Sequence, residues 1–437
     1  MTYNEAVEKI NSLLVFGSKP GLERVQELVE RIGSPDKKLR FVHVAGTNGK
    51  GSVCAYLSSI LRAAGYKTGL FISPFVLEFR ERFQINGEMI PEQDLADIIE
   101  QIWRVVLEMK NEGKIITEFE LVFAAALKWY EREKCDVVVL ETGLGGRFDA
   151  TNIISTPLSS VIMSISLDHT AILGDTCEKI AFEKCGIIKP DGITVLYGEQ
   201  PDGVYEVVKN AADERNNKLI VADISSVKCI SSGLEGSVFT FRNDILFNGE
   251  EKELSIPLIG DHQLKNAAAA LYTVAALIEK GLNISDNAII NGLAETVFPA
   301  RAELLKSNPV VLLDGAHNPG GAKALSSLIK SHLDGYYKVA VTGMLADKDI
   351  RTALSMLIPL FDEVITVTPD NPRAMSAEDL STMVSEFGVP VGYENDLRKA
   401  YRKARTLAMN GSDKNAVVVF GSLYLASDMR RIILSEK

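Results

Sequence analysis

The sequence predicts an α/β protein of two domains. The first is a doubly wound, mostly parallel sheet with a small antiparallel sheet appended; the second is a Rossmann-like α/β domain. Three observations carry this expectation. Short β-branched apolar runs alternate with amphipathic stretches of helical length. Near 218–257 the alternation gives way to closely spaced strand-like runs, and after 310 it resumes. The chain has 437 residues, enough for two or three domains with sizeable cores. The expected division is 1–297 and 298–437. TVFPAR at 296–301 forms the link, stiffened by Pro299.

Taken in order, Thr2 and Glu5 form a capping box that opens a first helix. Within 20–32, Leu22, Val25, Leu28, Val29 and Ile32 share one helical face, and Gly33 follows. RFVHVA (40–45) is a buried strand leading into GTNGKGS and then an amphipathic helix that Gly65 ends. KTGLFI (67–72) is the next strand. Helices are expected near 91–110 and at 118–133, the latter opened by a Thr117/Glu120 capping box. CDVVVLE (135–141) and SVIMSI (160–165) are strands. LIVA, VKCI, SVFTFR, DILFN and KELSIP supply the small antiparallel sheet, and a helix spans 263–280. VVLLD (310–314), YKVAVTG (337–343), EVITVT (363–368) and AVVVFGS (416–422) are the strands of the second domain.

The bulk properties exclude several classes. The formal charge is −11, which argues against a general nucleic-acid binder. No apolar run reaches membrane-spanning length, and the N-terminus lacks the pattern of a secretory signal. Five cysteines, odd in number and without a CxxC pair, argue against a disulfide framework or zinc site and fit a reducing cytoplasm.

The strongest local signal is strand–GTNGKGS–helix. Glycines let backbone N–H groups converge on an anion, the helix N-terminus adds partial positive charge, and Lys50 adds a full one. Gly46, Thr47, Asn48, Gly49, Lys50, Gly51 and Ser52 are therefore candidates to hold phosphate. The pattern departs from the usual P-loop. Val44 stands where its first glycine would be and Gly51 where its metal-binding hydroxyl would be, with Ser52 one residue later. The plainer reading is a strand-to-helix turn that binds nothing.

The segment VHVAGTNGKGSVCAYLSSILRAAGYKTGLFISP resembles the ATP-binding segment of folylpolyglutamate synthases and bifunctional dihydrofolate synthases, members of the Mur ligase superfamily. The likeness continues in order through SPF with RERFQINGEMI, ETGLGGRFDATN, SLDHTAILGDT, IAFEKCGIIKP, GDHQLKNAAAA, PARAE, DGAHNP and GSLYL. It implies a cytoplasmic, monomeric ligase that uses ATP to join L-glutamate to a folate, or to dihydropteroate, through an acyl phosphate. It further implies one or two Mg²⁺ ions and allows a monovalent cation.

By this resemblance Ser73, Glu141 and His169 ligate Mg²⁺, and strand ends of a doubly wound sheet would bring them to one crevice. Each has a simpler reading: Ser73 shapes a turn before Pro74, Glu141 caps a helix, and His169 is satisfied within its turn. Lys184 is implied to be carbamylated and to ligate a second metal; otherwise it is a solvated helix residue. His262, Gln263 and Asn266 are implied at the nucleotide, with capping by Asp261 as the alternative. Arg301 is implied at the ATP phosphates, against a surface pair with Glu303. Asp314 is implied at the ribose, and His317 near glutamate and phosphate. Asn318 would be only a helix N-cap. Ser422 is implied at glutamate. Phe75 and Arg82 fall in the implied acceptor loop, where Phe75, Phe79 and Phe83 either pack on a pterin or form the loop's own core.

Two other functions fit parts of the pattern. A cell-wall Mur ligase shares the chemistry but needs a UDP-binding domain, for which the residues before 46 leave no room. A non-catalytic nucleotide-binding regulator would bind ATP without glutamate-dependent ADP release.

Overall fold

The computed structural model describes residues 1–16, 21–346 and 349–436. Phe41–Ala45 is buried at every position, as a run of Phe, Val, His, Val and Ala without polar alternation requires of a central parallel strand. The strands of the first sheet are β1 (Phe41–Ala45), β2 (Thr68–Phe71), β3 (Phe83–Ile85), β4 (Glu88–Met89), β5 (Val137–Glu141), β6 (Ser159–Ile162), β7 (Ile193–Leu196) and β8 (Lys218–Val221). Their order is β4-β3-β2-β5-β1-β6-β7-β8. Only β3 and β4 run antiparallel to their neighbours. Val44 pairs with Glu141 on one side and Val161 on the other, so β1, β5 and β6 end nearly level. The switch in strand order therefore falls at β1, where an open α/β sheet presents its crevice.

The helix Lys50–Ala63 follows β1 and is buried from Gly51 through Leu61. The helix Asp286–Ala294 packs on it so closely that a Cβ on Gly292 would lie 2.4 Å from the Ile60 Cα. Both expected capping boxes form, at Thr2/Glu5 and Thr117/Glu120. One apolar cluster gathers Phe71, Phe83, Phe123 and Tyr130; another gathers Ile162, Ile180 and Leu196.

The antiparallel sheet is smaller than its sequence suggests. It contains β9 (Val227–Gly233), β10 (Gly236–Phe241) and β11 (Lys252–Ile256), in the order β11-β10-β9. LIVA does not join it: β8 pairs parallel with β7 as the edge of the first sheet. DILFN is not a strand, because Phe247 and Asn248 take left-handed φ values of 55° and turn the chain.

The last sheet holds β12 (Glu303–Ser307), β13 (Val310–Leu313), β14 (Tyr337–Thr342), β15 (Glu363–Thr366), β16 (Val391–Tyr393) and β17 (Asn415–Phe420). Its order is β12-β13-β17-β14-β15-β16, parallel except for β12. By mutual proximity the chain forms two compact units. One comprises Met1–Val227, Phe241–Lys252 and Lys265–Glu295; the other comprises Lys228–Thr240, Glu253–Leu264 and Thr296–Lys437, of which Asp347, Lys348 and Lys437 are not described. The core of the second unit includes Ile259 beside Leu312, Leu328 and Val418, with Leu234 packed against it.

Candidate active site

In the first unit the site grows from the turn between β1 and its helix. Gly46 and Gly49 have φ values of 153° and 84°. A Cβ on Gly46 would meet the Met163 Cβ at 2.5 Å, and one on Gly49 would meet Asn266 Oδ1 at 2.7 Å. Close approach thus demands glycine at both positions. It also brings buried Asn266 to the turn.

The turn is pinned to the loop after β6. The Thr47 and Asn48 N–H groups both donate to Ser164 O, at 2.8 and 3.3 Å. Thr47 Oγ1 donates to Ser166 O, and Asn48 Nδ2 to Ser166 Oγ, each at 3.1 Å. The anion nest is consequently narrower than the glycine pattern predicts. What is left for an anion is the first turn of the helix that begins at Lys50, ahead of the Val53 N–H, which donates to Gly49 O at 3.0 Å.

Lys50 Nζ lies 3.1 Å from Gly46 O, 3.3 Å from Thr47 O and 3.9 Å from Glu141 Oε1. Lys184 Nζ donates to the same Gly46 carbonyl at 2.7 Å. Lys184 is 4% exposed, so its reading as a solvated helix residue fails. Burial, with Lys50 nearby, pulls its ammonium down to about 7 against the attraction of Asp168, Asp149 and Glu141. Glu141 ends β5 almost fully buried and accepts the Ser73 N–H at 3.2 Å. Ser73, Glu141, Lys50, Gly46 and Lys184 are therefore one continuous cluster.

His169 begins the short helix Thr170–Leu173 with a φ of 51°, and its N–H donates to Asp168 Oδ1 at 2.9 Å. Its ring is about half-exposed, 3.8 Å from the same carboxylate. Asp168 was not legible as a site residue. Its relevance lies in the field it exerts on Lys184, from a different segment of the chain.

The donor chemistry suits a hard cation. It offers a carboxylate and a hydroxyl at the ends of the adjacent strands β5 and β2, with His169 on the loop after β6, beyond the intervening β1. Among the described residues no three His, Cys, Asp or Glu side chains form a metal cage.

The loop after Ser73 is held from within. Glu81 accepts the Val76 N–H at 2.7 Å and the Leu77 N–H at 3.0 Å. Arg82 pairs with Glu118 at 2.6 Å, and its guanidinium lies over the Phe75 and Phe79 rings. Phe79 and Phe83 belong to the core, whereas Phe75 is only partly buried. The loop's aromatics thus divide: Phe79 and Phe83 are structural, while Phe75 is only partly buried under an Arg82 side chain that is itself 12% exposed.

In the second unit, Arg301 stands between Ala300 and Ala302, which have left-handed φ values of 55° and 50°. Such backbone costs about 1–2 kcal/mol per alanine, and side-chain and backbone contacts hold it in place. Glu303 accepts the Ala300 N–H at 3.0 Å, Ala300 O accepts the Gly315 N–H at 3.0 Å, and Asp314 accepts the Ala302 N–H at 2.7 Å. Glu303 forms a two-pronged pair with Arg430, not with Arg301. Asp314 also accepts the Ala316 N–H at 2.7 Å, and burial raises its carboxyl pKa against the pull of Arg301. His317 Nδ1 is 2.8 Å from Gly315 O, a contact that fixes its N–H on Nδ1. Asn318 caps the helix Pro319–His332, as its simpler reading had it. Ser422 is buried and caps the last helix through Leu425 N–H. Gln263 is buried near the start of the helix Asp261–Glu279, one residue after His262.

A phosphate-loop α/β unit joined to a second one with this Asp314–His317 turn is the plan of the Mur ligases. Residues 44–274 match the Mur ligase middle domain and residues 300–423 the Mur ligase glutamate ligase domain. The chain is 36% identical to a dihydrofolate synthase/folylpolyglutamate synthase of Bacillus subtilis, over 98% of each protein. It superposes with a TM-score of 0.89 on a Mycobacterium tuberculosis folylpolyglutamate synthase complexed with ADP, at 30% identity over 99% of each chain. An Escherichia coli FolC in complex with DHPP and ADP superposes at 0.85, with 31% identity over 99% of this chain and 98% of that one. The chain belongs to the folylpolyglutamate synthase/dihydrofolate synthase family of Mur ligases. Among its described residues no helix is long and apolar enough to cross a membrane.

Proposed function

We propose that the chain is an ATP-dependent ligase that forms an amide between L-glutamate and a folate carboxylate. The observation that carries this is the meeting of Lys50 and Lys184 at the Gly46 carbonyl, beside Glu141 and a helix N-terminus. Such a cluster is suited to bringing two anions, a triphosphate and a carboxylate, together. Family membership supplies the reaction class.

The folate carboxylate oxygen attacks the γ-phosphorus, and the bond to the β-bridging oxygen breaks to release ADP. The glutamate nitrogen then attacks the acyl-phosphate carbon. The tetrahedral adduct expels phosphate, and the amine loses a proton to leave the amide. Lys50 turns from its own loop carbonyls to the β- and γ-oxygens, with the amides from Lys50 to Ser52 behind it. Ser73, Glu141 and His169 are the residues that would hold Mg²⁺, whose chemistry is to neutralise charge on the phosphoryl oxygens.

Lys184 is proposed as a carbamate. Its neutral amine attacks carbon dioxide, an N–C bond forms, and one proton leaves to solvent. The resulting carboxylate suits a second hard cation. Phe75 and Arg82 are assigned to the acceptor, and Asn266, His262, Gln263, Arg301 and Asp314 to the nucleotide. His317 is assigned to the incoming glutamate and the phosphate, and Ser422 to glutamate. The monomeric state and cytoplasmic location stay proposals with these roles.

A coupled ADP-release assay tests the function. Tetrahydrofolate and dihydropteroate are supplied separately, each with and without L-glutamate. Glutamate-dependent ADP release with tetrahydrofolate is expected, and the dihydropteroate arm decides whether the enzyme is bifunctional. ADP release that ignores glutamate in both arms would leave the regulator reading standing and remove this one.

A further inference from the structure

Asn152, Arg147, Gly146 and Gly186, of the ETGLGGRFDATN and EKCGI segments, have no role in the reaction above, yet they build the seam that carries Lys184. Asn152 is 6% exposed, and its Nδ2 donates to Arg147 O and to Gly186 O, both at 3.1 Å. Reversing that amide would face its oxygen toward two carbonyl oxygens, so the contacts fix its orientation. Its main-chain oxygen in turn accepts Lys189 Nζ at 3.0 Å. The two segments so joined already run in backbone contact. A Cβ on Gly186 would lie 2.2 Å from the Arg147 Cα. One on Gly146 would lie 2.7 Å from Lys184 O and 3.0 Å from Lys184 Cα. Arg147 N–H donates to Glu183 O at 2.7 Å.

We infer that Asn152 is a positioning residue for Lys184. It closes a glycine-lined seam that sets where the lysine leaves its helix, and so aims Nζ at the Gly46 carbonyl beside Glu141. Asn152 touches none of the reacting groups. The inference rests on reading Lys184 as a carbamate and adds the group that controls its placement. A carbamate carboxylate must meet its cation within a few tenths of an ångström. A seam with no space for a methyl group and one amide bridging two carbonyls is a rigid way to secure that.

The test uses the full-length enzyme equilibrated with ¹³C-bicarbonate and observed by ¹³C NMR. Wild type is expected to show a carbamate carbon that Lys184→Ala lacks. Asn152→Asp is nearly isosteric but turns a carboxylate toward two carbonyls. It is expected to lose most of that signal and about 10- to 100-fold in kcat, the usual effect of disturbing a group that orients a metal ligand. Metal-free nucleotide affinity is expected to stay at the wild-type value. Full carbamate signal in Asn152→Asp overturns the inference and leaves the carbamate intact. Absence of signal in wild type overturns the carbamate reading and this inference with it. Asn152→Ser, which keeps one donor, is measured in parallel. If Asn152→Asp does not fold, an undiminished signal in Asn152→Ser overturns the inference and a reduced one supports it.

Discussion

At the scale of single residues, the site is a contest between burial and charge. With Lys50 proposed to bring its side-chain nitrogen to the phosphates, Lys50→Ala is expected to lower glutamate-dependent ADP release by about a thousandfold. Near wild-type release would remove the phosphate-loop assignment. His43 behaves differently. It is fully buried in β1, its Nε2 bonded to Thr151 Oγ1 at 2.8 Å, and burial drops its pKa to about 3. The folded protein therefore keeps His43 neutral while the unfolded chain takes up a proton below about pH 6.5. Stability is lost as pH falls through that window. Between pH 7 and pH 5 this one group should account for about 2 kcal/mol of the loss. Urea unfolding at the two pH values should show His43→Gln, which cannot titrate, losing that much less than wild type.

At the scale of elements, glycines decide how closely the pieces approach. Gly292 lets the helix Asp286–Ala294 lie against the backbone of the phosphate-loop helix at Ile60. Gly292→Ala should cost about 1–3 kcal/mol in urea unfolding. It should also weaken nucleotide binding, because the helix that it displaces begins with Lys50. What was legible in the sequence follows from the same physics. β1, β5 and β17 are buried along their whole length, so their apolar runs announce them. The β3–β4 hairpin went unread although Asn86-Gly87, both at positive φ, is a strong turn signal. Strands of three and two residues carry too little pattern to show their period. β8 looked like its antiparallel followers because an edge strand is half-exposed whichever sheet it joins. Phosphate-loop glycines and strand-end carboxylates announce themselves by type and position. Asp168 and Asn152 do not, since each acts on groups far away in sequence, which only the fold brings near.

At the scale of the whole molecule, the second unit is not continuous in sequence. Residues 228–240 and 253–264 belong with 296–436, and Ile259 sits in their shared core. A fragment of residues 298–437 should consequently bind a hydrophobic dye and unfold without a sharp transition. Supplying 228–264 through a redesigned linkage should restore cooperativity. A sharp, dye-free transition in the short fragment would show that the inserted strands are dispensable to that core.

This interleaving has a consequence for synthesis on the ribosome. The strand and helix-start segments that end at residue 264 emerge while the core they complete is still unmade. At ordinary translation speeds the remaining chain takes roughly ten to thirty-five seconds to appear. Through that interval Leu234 and Ile259 must wait without their partners, exposed or held by a chaperone. The first unit meets a shorter delay, because its last piece is the helices that end at Glu295. The nascent chain can thus fold its phosphate loop well before the second unit can close its core.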